Sequence, residues 1–125
     1  MSKNILIVED DEAIRFSMID LLEMESYEVH SCDNGQKALD YLASCSKLPD
    51  LILLDLMMPV MDGFAFCERQ IKDAAISHIP VIIMSADGHV KEKQNKTHSF
   101  AYLRKPLDID CVLQTIEDAL KTTVL

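Results

Sequence analysis

The sequence predicts an α/β fold, a three-layer sandwich in which a five-stranded parallel sheet is flanked by five helices. Three observations lead there. Aliphatic runs at residues 5–8, 51–54 and 81–84 carry no polar alternation, as expected of strands buried on both faces of a parallel sheet. Stretches with apolar residues at helical spacing separate the strands, so strand and helix alternate along the whole chain. Such alternation demands parallel pairing through right-handed crossovers.

Taken in order, residues 5–8 form the first strand and run into Glu9, Asp10, Asp11 and Glu12. From Ala13 the pattern turns helical, with Ile14, Met18, Leu21 and Leu22 on one face, Asp11 available as N-cap and an end near Glu25 and Ser26. Residues 27–32 alternate as a short strand, and Asp33-Asn34-Gly35 supplies the following turn. Ala38, Leu39 and Leu42 make the stripe of the second helix, which stops before Leu48-Pro49-Asp50. The third strand, residues 51–54, is the centre of the chain and stops at the carboxylate of Asp55; Pro59 and Asp62-Gly63 then force a loop. Phe64, Cys67, Ile71 and Ala74 mark the third helix, finished before Ser77-His78-Ile79-Pro80. The fourth strand, 81–84, ends at Ser85, and a short fifth strand, 100–103, ends at Arg104-Lys105-Pro106. The last helix opens with Asp108 as N-cap and carries Ile109, Val112, Leu113, Ile116 and Leu120. Between them, residues 88–99 must supply a further helix, yet Val90 is the only aliphatic residue there. That helix is expected to be short, loosely packed or mobile.

The 125 residues make one domain, 1–125, large enough for a single core. Hydrophobic content of 49% with 26% charged residues excludes a disordered chain. Twelve Lys and Arg against 21 Asp and Glu give a charge of -9, which argues against nucleic acid or an anionic membrane as a direct partner and for protein partners or metal cations. Cys32, Cys45, Cys67 and Cys111 form no Cys-x-x-Cys pair and read as small buried hydrophobes in a reducing compartment. With no secretory leader and no apolar run near membrane-spanning length, a cytoplasmic location is expected. His30, His78, His89 and His98 read as surface positions, and Met57, Met58 and Met61 as loop and core filler.

The strand ends hold the chemistry. In open α/β sheets ligands bind outside the carboxyl ends of the strands, and this chain places Glu9-Asp10, Asp55, Ser85 and Lys105 at successive ends. Carboxylates converging in one cleft either rise in pKa or are joined by a hard cation, for which Mg2+ is the obvious candidate. A lysine and a hydroxyl beside such a metal suit a phosphoryl group, with the Asp55 carboxylate as nucleophile forming an acyl phosphate.

Over essentially its whole length the chain resembles the receiver domain of two-component response regulators, in particular a stand-alone, chemotaxis-regulator-like one. The matching motifs are Ile7-Val8-Glu9-Asp10-Asp11, Leu53-Leu54-Asp55-Leu56-Met57-Met58-Pro59-Val60-Met61-Asp62-Gly63, Met84-Ser85-Ala86 and Tyr102-Leu103-Arg104-Lys105-Pro106. The resemblance implies a flavodoxin-like strand order 2-1-3-4-5 and a phosphorelay switch. Asp55 would accept a phosphoryl group from the phosphohistidine of a histidine kinase or histidine phosphotransfer protein, and a downstream effector would read the result. Asp10 would contact Mg2+ directly, Glu9 through water, and the Met57 backbone carbonyl would complete the protein ligands with Asp55. Lys105, across a cis peptide to Pro106, would pair with the phosphoryl oxygens; Ser85 would bond the phosphoryl group and Tyr102 would move inward as the switch aromatic. The chain would catalyse at most its own phosphorylation and dephosphorylation, as a monomer or weak dimer.

Ser85 stands where Thr is commoner, the interval to Lys105 is about two residues short, and Ser99-Phe100 replaces the customary Gly-Ala before the fifth strand. Ser85 keeps the hydroxyl, whereas the shortened interval falls in the 88–99 segment and bears on the output face, so the first and fifth helices are the expected contact surfaces. A flavodoxin-type electron carrier is disfavoured because Glu9 to Glu12 would repel a flavin phosphate. A dehalogenase-type aspartyl phosphatase would need Asp where Met57 stands. The alternative that remains is a degenerate receiver, a binding module indifferent to phosphorylation and to Asp55→Asn.

Overall fold

A computed structural model of the chain describes residues 3–58, 60–86 and 97–122. The elements are β1 (Asn4–Val8), α1 (Glu12–Met24), β2 (Glu28–Cys32), α2 (Gly35–Ser44), β3 (Leu51–Asp55), α3 (Gly63–Ile71), β4 (Val81–Ser85), β5 (Ala101–Arg104) and α4 (Ile109–Thr122). The strands form one parallel sheet in the order β2-β1-β3-β4-β5, the flavodoxin-like arrangement. Four helices, not five, lie among the described residues; most of the further helix expected at 88–99 falls on residues outside them.

The pleat explains the unbroken aliphatic runs. Successive side chains of a strand point to opposite faces, and both faces are covered. On one, Leu6, Val8, Ile52, Leu54 and Ile83 pack against Ala38 and Leu42 of α2 and Phe66 and Cys67 of α3. On the other, Ile5, Ile7, Leu51, Leu53, Ile82 and Met84 pack against Met18 and Leu22 of α1 and Val112, Ile116 and Ala119 of α4. Each large aliphatic or aromatic side chain so enclosed stabilises the fold by about 1.5–3 kcal/mol. Strand β2, at the sheet edge, has three exposed positions, which is why its sequence alternates while those of β1, β3 and β4 do not.

Helix starts are set by short polar side chains that accept from orphan backbone amides. Asp11 accepts from Ile14 N (2.9 Å), Asn34 from Lys37 N (2.9 Å) and Asp62 from Ala65 N (2.9 Å). Asp108 accepts from Asp110 N (3.0 Å), as the cap expected for α4. At the far end of α3 the buried Gln70 donates Nε2 to the carbonyls of Ile76 and Ile79, both at 3.0 Å, and ties the loop before β4 to the helix.

The cysteine reading needs correction. Only Cys67 is buried; Cys32 and Cys45 are half-buried, and Cys111 is exposed in the first turn of α4, on the solvent side with Ile109 and Asp110. All four thiols are free. No helix among the described residues is long and apolar enough to cross a membrane.

Candidate functional site

Strand register assembles the site. Val8 lies beside Leu54, so the residues that follow β1 emerge next to Asp55. Asp55 in turn lies beside Met84, and Ser85 beside Arg104, with Lys105 N donating to the Ser85 carbonyl at 2.8 Å. Glu9, Asp10, Asp55, Ser85 and Lys105 therefore share one edge of the sheet, as the sequence predicts.

Within this edge one oxygen each of Glu9, Asp10 and Asp55 lies within 4.8 Å of the others. Glu9 is fully buried and Asp55 is 4% exposed, whereas Asp10 faces solvent. Lys105 Nζ donates to Glu9 Oε1 at 2.9 Å and lies 3.5 Å from Asp55 Oδ1. The other Glu9 oxygen accepts from Asp11 N at 3.0 Å, and Asp55 Oδ1 accepts from Met57 N at 3.4 Å. Three carboxylates thus face one ammonium, and two of the three are shielded from water.

Burial, above all, pushes the Asp55 carboxyl up to about 8; the hydrogen bond and charge of Glu9 act in the same direction and Lys105 opposes them. For Lys105, burial pulls the pKa down, but Glu9 and Asp55 outweigh it and the net direction is up. At neutral pH the ammonium is paired with Glu9, while ionising Asp55 without a further cation is unfavourable. An oxygen-only donor set with surplus negative charge suits a hard divalent cation, so the residues present fit Mg2+.

Ser85 is buried at the end of β4, and Tyr102 of β5 lies with its ring in the core on the α2 and α3 side. The Lys105–Pro106 peptide is cis, as expected. Met57 is exposed on the loop after β3, next but one to Asp55, and Met58 and Met61 pack partly into the core.

Sequence reasoning treated Gly35 and Gly63 only as turn residues. A Cβ on Gly63 would lie 2.8 Å from Leu56 Cα, so α3 begins against the backbone just past Asp55; the Gly63 amide also donates to Leu56 O at 2.8 Å. A Cβ on Gly35 would lie 2.8 Å from Met61 O, which sets the start of α2 against the same loop. Within that loop Val60 has a left-handed backbone (φ 70°), unusual for a β-branched residue. Arg15 was also missed: its Nη1 donates to the Glu9 carbonyl at 2.9 Å, a contact no spacing rule announces.

The family model for the response regulator receiver domain matches residues 5–117. The chain is 37% identical over 121 residues to the DNA-binding dual master transcriptional regulator RpaA of Synechocystis, covering 95% of this chain and 49% of that one. It is 41% identical over 110 residues to the response regulator PleD of Caulobacter vibrioides, covering 86% and 24% respectively. The chain therefore spans half or less of the length of these relatives. Its fold is shared with the receiver domain of a sensor histidine kinase from Pseudomonas aeruginosa, whose structure has a magnesium ion coordinated in the active site cleft (TM-score 0.86, 21% identity, 97% and 99% of the two chains covered). The strand order, the acidic cluster at the sheet edge and the match over residues 5–117 agree: this chain belongs to the response regulator receiver domain family.

Proposed function

We propose that the domain is a phosphorylation-dependent switch in which Asp55 accepts a phosphoryl group from a phosphohistidine of a histidine kinase or phosphotransfer protein. In this step an Asp55 carboxylate oxygen bonds to phosphorus, the phosphorus–nitrogen bond breaks, and the imidazole leaves with the bonding pair. One observation carries the reading: the Glu9, Asp10 and Asp55 oxygens lie within 4.8 Å of one another with Lys105 Nζ 3.5 Å from Asp55. Glu9, Asp10, Asp55 and the Met57 carbonyl are the proposed ligands of Mg2+, which when bound supplies positive charge that neutralises the carboxylates and the incoming phosphoryl oxygens. A cation also favours ionised Asp55 over its protonated form and so frees the nucleophile.

Lys105 is held near Asp55 by Glu9, which supports a role in pairing with phosphoryl oxygens without a search by a flexible side chain. Ser85 is proposed to bond the phosphoryl group and Tyr102, on the adjacent strand, to pass the change to the surface as the switch aromatic. A groove of about 380 Å³ beside Lys105, between α1 and α4, supports these two helices as the partner-contact surface; Ile14, Leu21, Pro106 and Leu107 are among its lining residues. The domain itself is proposed to touch proteins rather than nucleic acid or membrane, given its charge of -9, and to reside in the cytoplasm. Nothing favours the degenerate-receiver reading, since every position of the constellation keeps its functional side chain.

The test is intact-protein mass spectrometry after incubation with acetyl phosphate, with and without Mg2+, on the natural chain and Asp55→Asn. A Mg2+-dependent phosphoryl adduct confined to the natural chain is expected. The same adduct on Asp55→Asn, or none on the folded natural chain with Mg2+ present, would sink the assignment.

A further inference from the structure

We infer that Arg15 is a positioning residue that holds the β1–α1 acidic loop in its cation-binding form, an inference that rests on the Mg2+ reading proposed above. Arg15 lies half-buried in the first turns of α1, and its Nη1 donates to the backbone carbonyl of Glu9, six residues back, at 2.9 Å. On the opposite side of the same residue, Glu9 N donates to the Cys32 carbonyl of β2 at 3.1 Å. Glu9 is thus pinned between an edge strand and a helix. Asp11 is pinned as well, its carboxylate accepting from Ile14 N and its amide donating to Glu9 Oε2.

Between these two fixed residues sits Asp10, the exposed member of the carboxylate cluster. Exposed as it is, Asp10 takes its direction from the backbone on either side together with its side-chain contact to the Asp55 carboxyl. Deleting the Arg15 contact releases the Glu9 carbonyl and lets the Glu9–Asp10 peptide rotate, so that Asp10 no longer keeps its oxygen near those of Glu9 and Asp55. The guanidinium also satisfies a carbonyl that a flexible loop would otherwise turn toward solvent or toward the cleft.

A purely electrostatic role predicts the opposite sign. Arg15 is a fixed cation close to a proposed cation site, and by Coulomb repulsion its removal would tighten Mg2+ binding. Positioning predicts a loss. Contacts that orient ligands in this indirect way typically change metal affinity by about ten-fold or more.

The experiment is calorimetric titration of MgCl2 into the full chain and into Arg15→Ala, Arg15→Gln and Arg15→Lys at one pH and ionic strength, with thermal midpoints measured in the metal-free state. Expected are Mg2+ binding about ten-fold weaker in Arg15→Ala and partial recovery in Arg15→Lys and Arg15→Gln, which keep a donor. Should Arg15→Ala fail to fold, the comparison of Gln with Lys decides: similar affinities for both uphold positioning, and tighter binding by the neutral Gln overturns it. Unchanged or tighter binding by folded Arg15→Ala overturns the inference while leaving the Mg2+ reading intact. A natural chain that binds no Mg2+ overturns both. Thermal midpoints separate the positioning role from a structural one, because general loosening lowers the midpoint without a Mg2+ loss that a donor side chain restores.

Discussion

Replacing Asp55 by Asn should stabilise the metal-free protein, and by an amount that grows with pH. The Asp55 carboxyl is raised from 3.8 to about 8 in the fold, burial being the main cause and Glu9 the next. Between those two values the native state keeps a proton that the unfolded chain has lost, so stability falls as pH rises through the window. At ~1.4 kcal/mol per unit, the penalty on the native state is on the order of 2 kcal/mol at pH 5 and on the order of 5 kcal/mol at pH 8. Asn carries no such dependence. Its other effects, chiefly the loss of one of two partners for Lys105, are nearly constant over this range because Lys105 keeps Glu9. Relaxation of the cleft absorbs part of the gap, so the advantage of Asp55→Asn should widen by about 2–4 kcal/mol from pH 5 to pH 8. Urea unfolding of both chains in EDTA at pH 5, 6, 7 and 8, followed by far-UV circular dichroism because the chain has no Trp, measures this directly. A difference that is flat, or that narrows as pH rises, would refute the account of Asp55 as a carboxyl held protonated by its surroundings.

Three further outcomes follow from the geometry. Gly63→Ala should cost about 1–3 kcal/mol in urea unfolding, because its Cβ would meet the Leu56 backbone at 2.8 Å and backbone cannot swing aside as a flexible side chain can; a neutral result would mean that α3 can retreat freely. Val60→Asn should stabilise by about 1 kcal/mol and raise Tm by about 3–5 °C, since Val60 is 82% exposed and sits at φ 70°, which Asn adopts readily; a fall in Tm would contradict this. Gln70→Ala should cost about 1–3 kcal/mol by removing the side-chain donor to the Ile79 carbonyl and leaving Ile76 O with only the Ile79 amide, and should speed amide exchange in the α3–β4 loop relative to β1. Uniform loss of protection would instead argue that Gln70 supports the whole core.

What the sequence made legible is what one-dimensional patterns encode. Unbroken aliphatic runs could only be strands covered on both faces, and the abrupt stops at Glu9, Asp55 and Ser85 marked the sheet edge where the site lies. The caps Asp11 and Asp108 were readable because capping is local. Contacts made by long side chains to distant backbone were not: nothing in the pattern of α1 distinguishes Arg15 from a solvated helix residue, and Gln70 reads as polar surface although it is buried. Gly35 and Gly63 were seen as turn residues, yet what demands glycine is close packing on Met61 and Leu56. Reading Cys111 as buried failed for the converse reason, since composition gives an average tendency and the face of a helix decides the individual case.

The energetic tension at Asp55 and its proposed role have the same origin. A carboxylate at the end of a strand flanked by fully buried Leu54 and Leu56 is poorly solvated, which is why its ionised form is unfavourable alone. In the same weakly screened setting, any positive partner that enters the cleft interacts more strongly than it would in water. A surface carboxylate would carry little penalty and would respond little. Hydrogen bonds also couple the site to the sheet: Leu56 N donates to Met84 O and Lys105 N to Ser85 O, so the loop that follows Asp55 and the one bearing Lys105 are each bonded to β4. A change of charge or partner at Asp55 therefore cannot be absorbed by one free loop. Beside β4 lies β5, where Tyr102 pairs with Ile83 in the core, and this contact is the connection on which the proposed switch would rely.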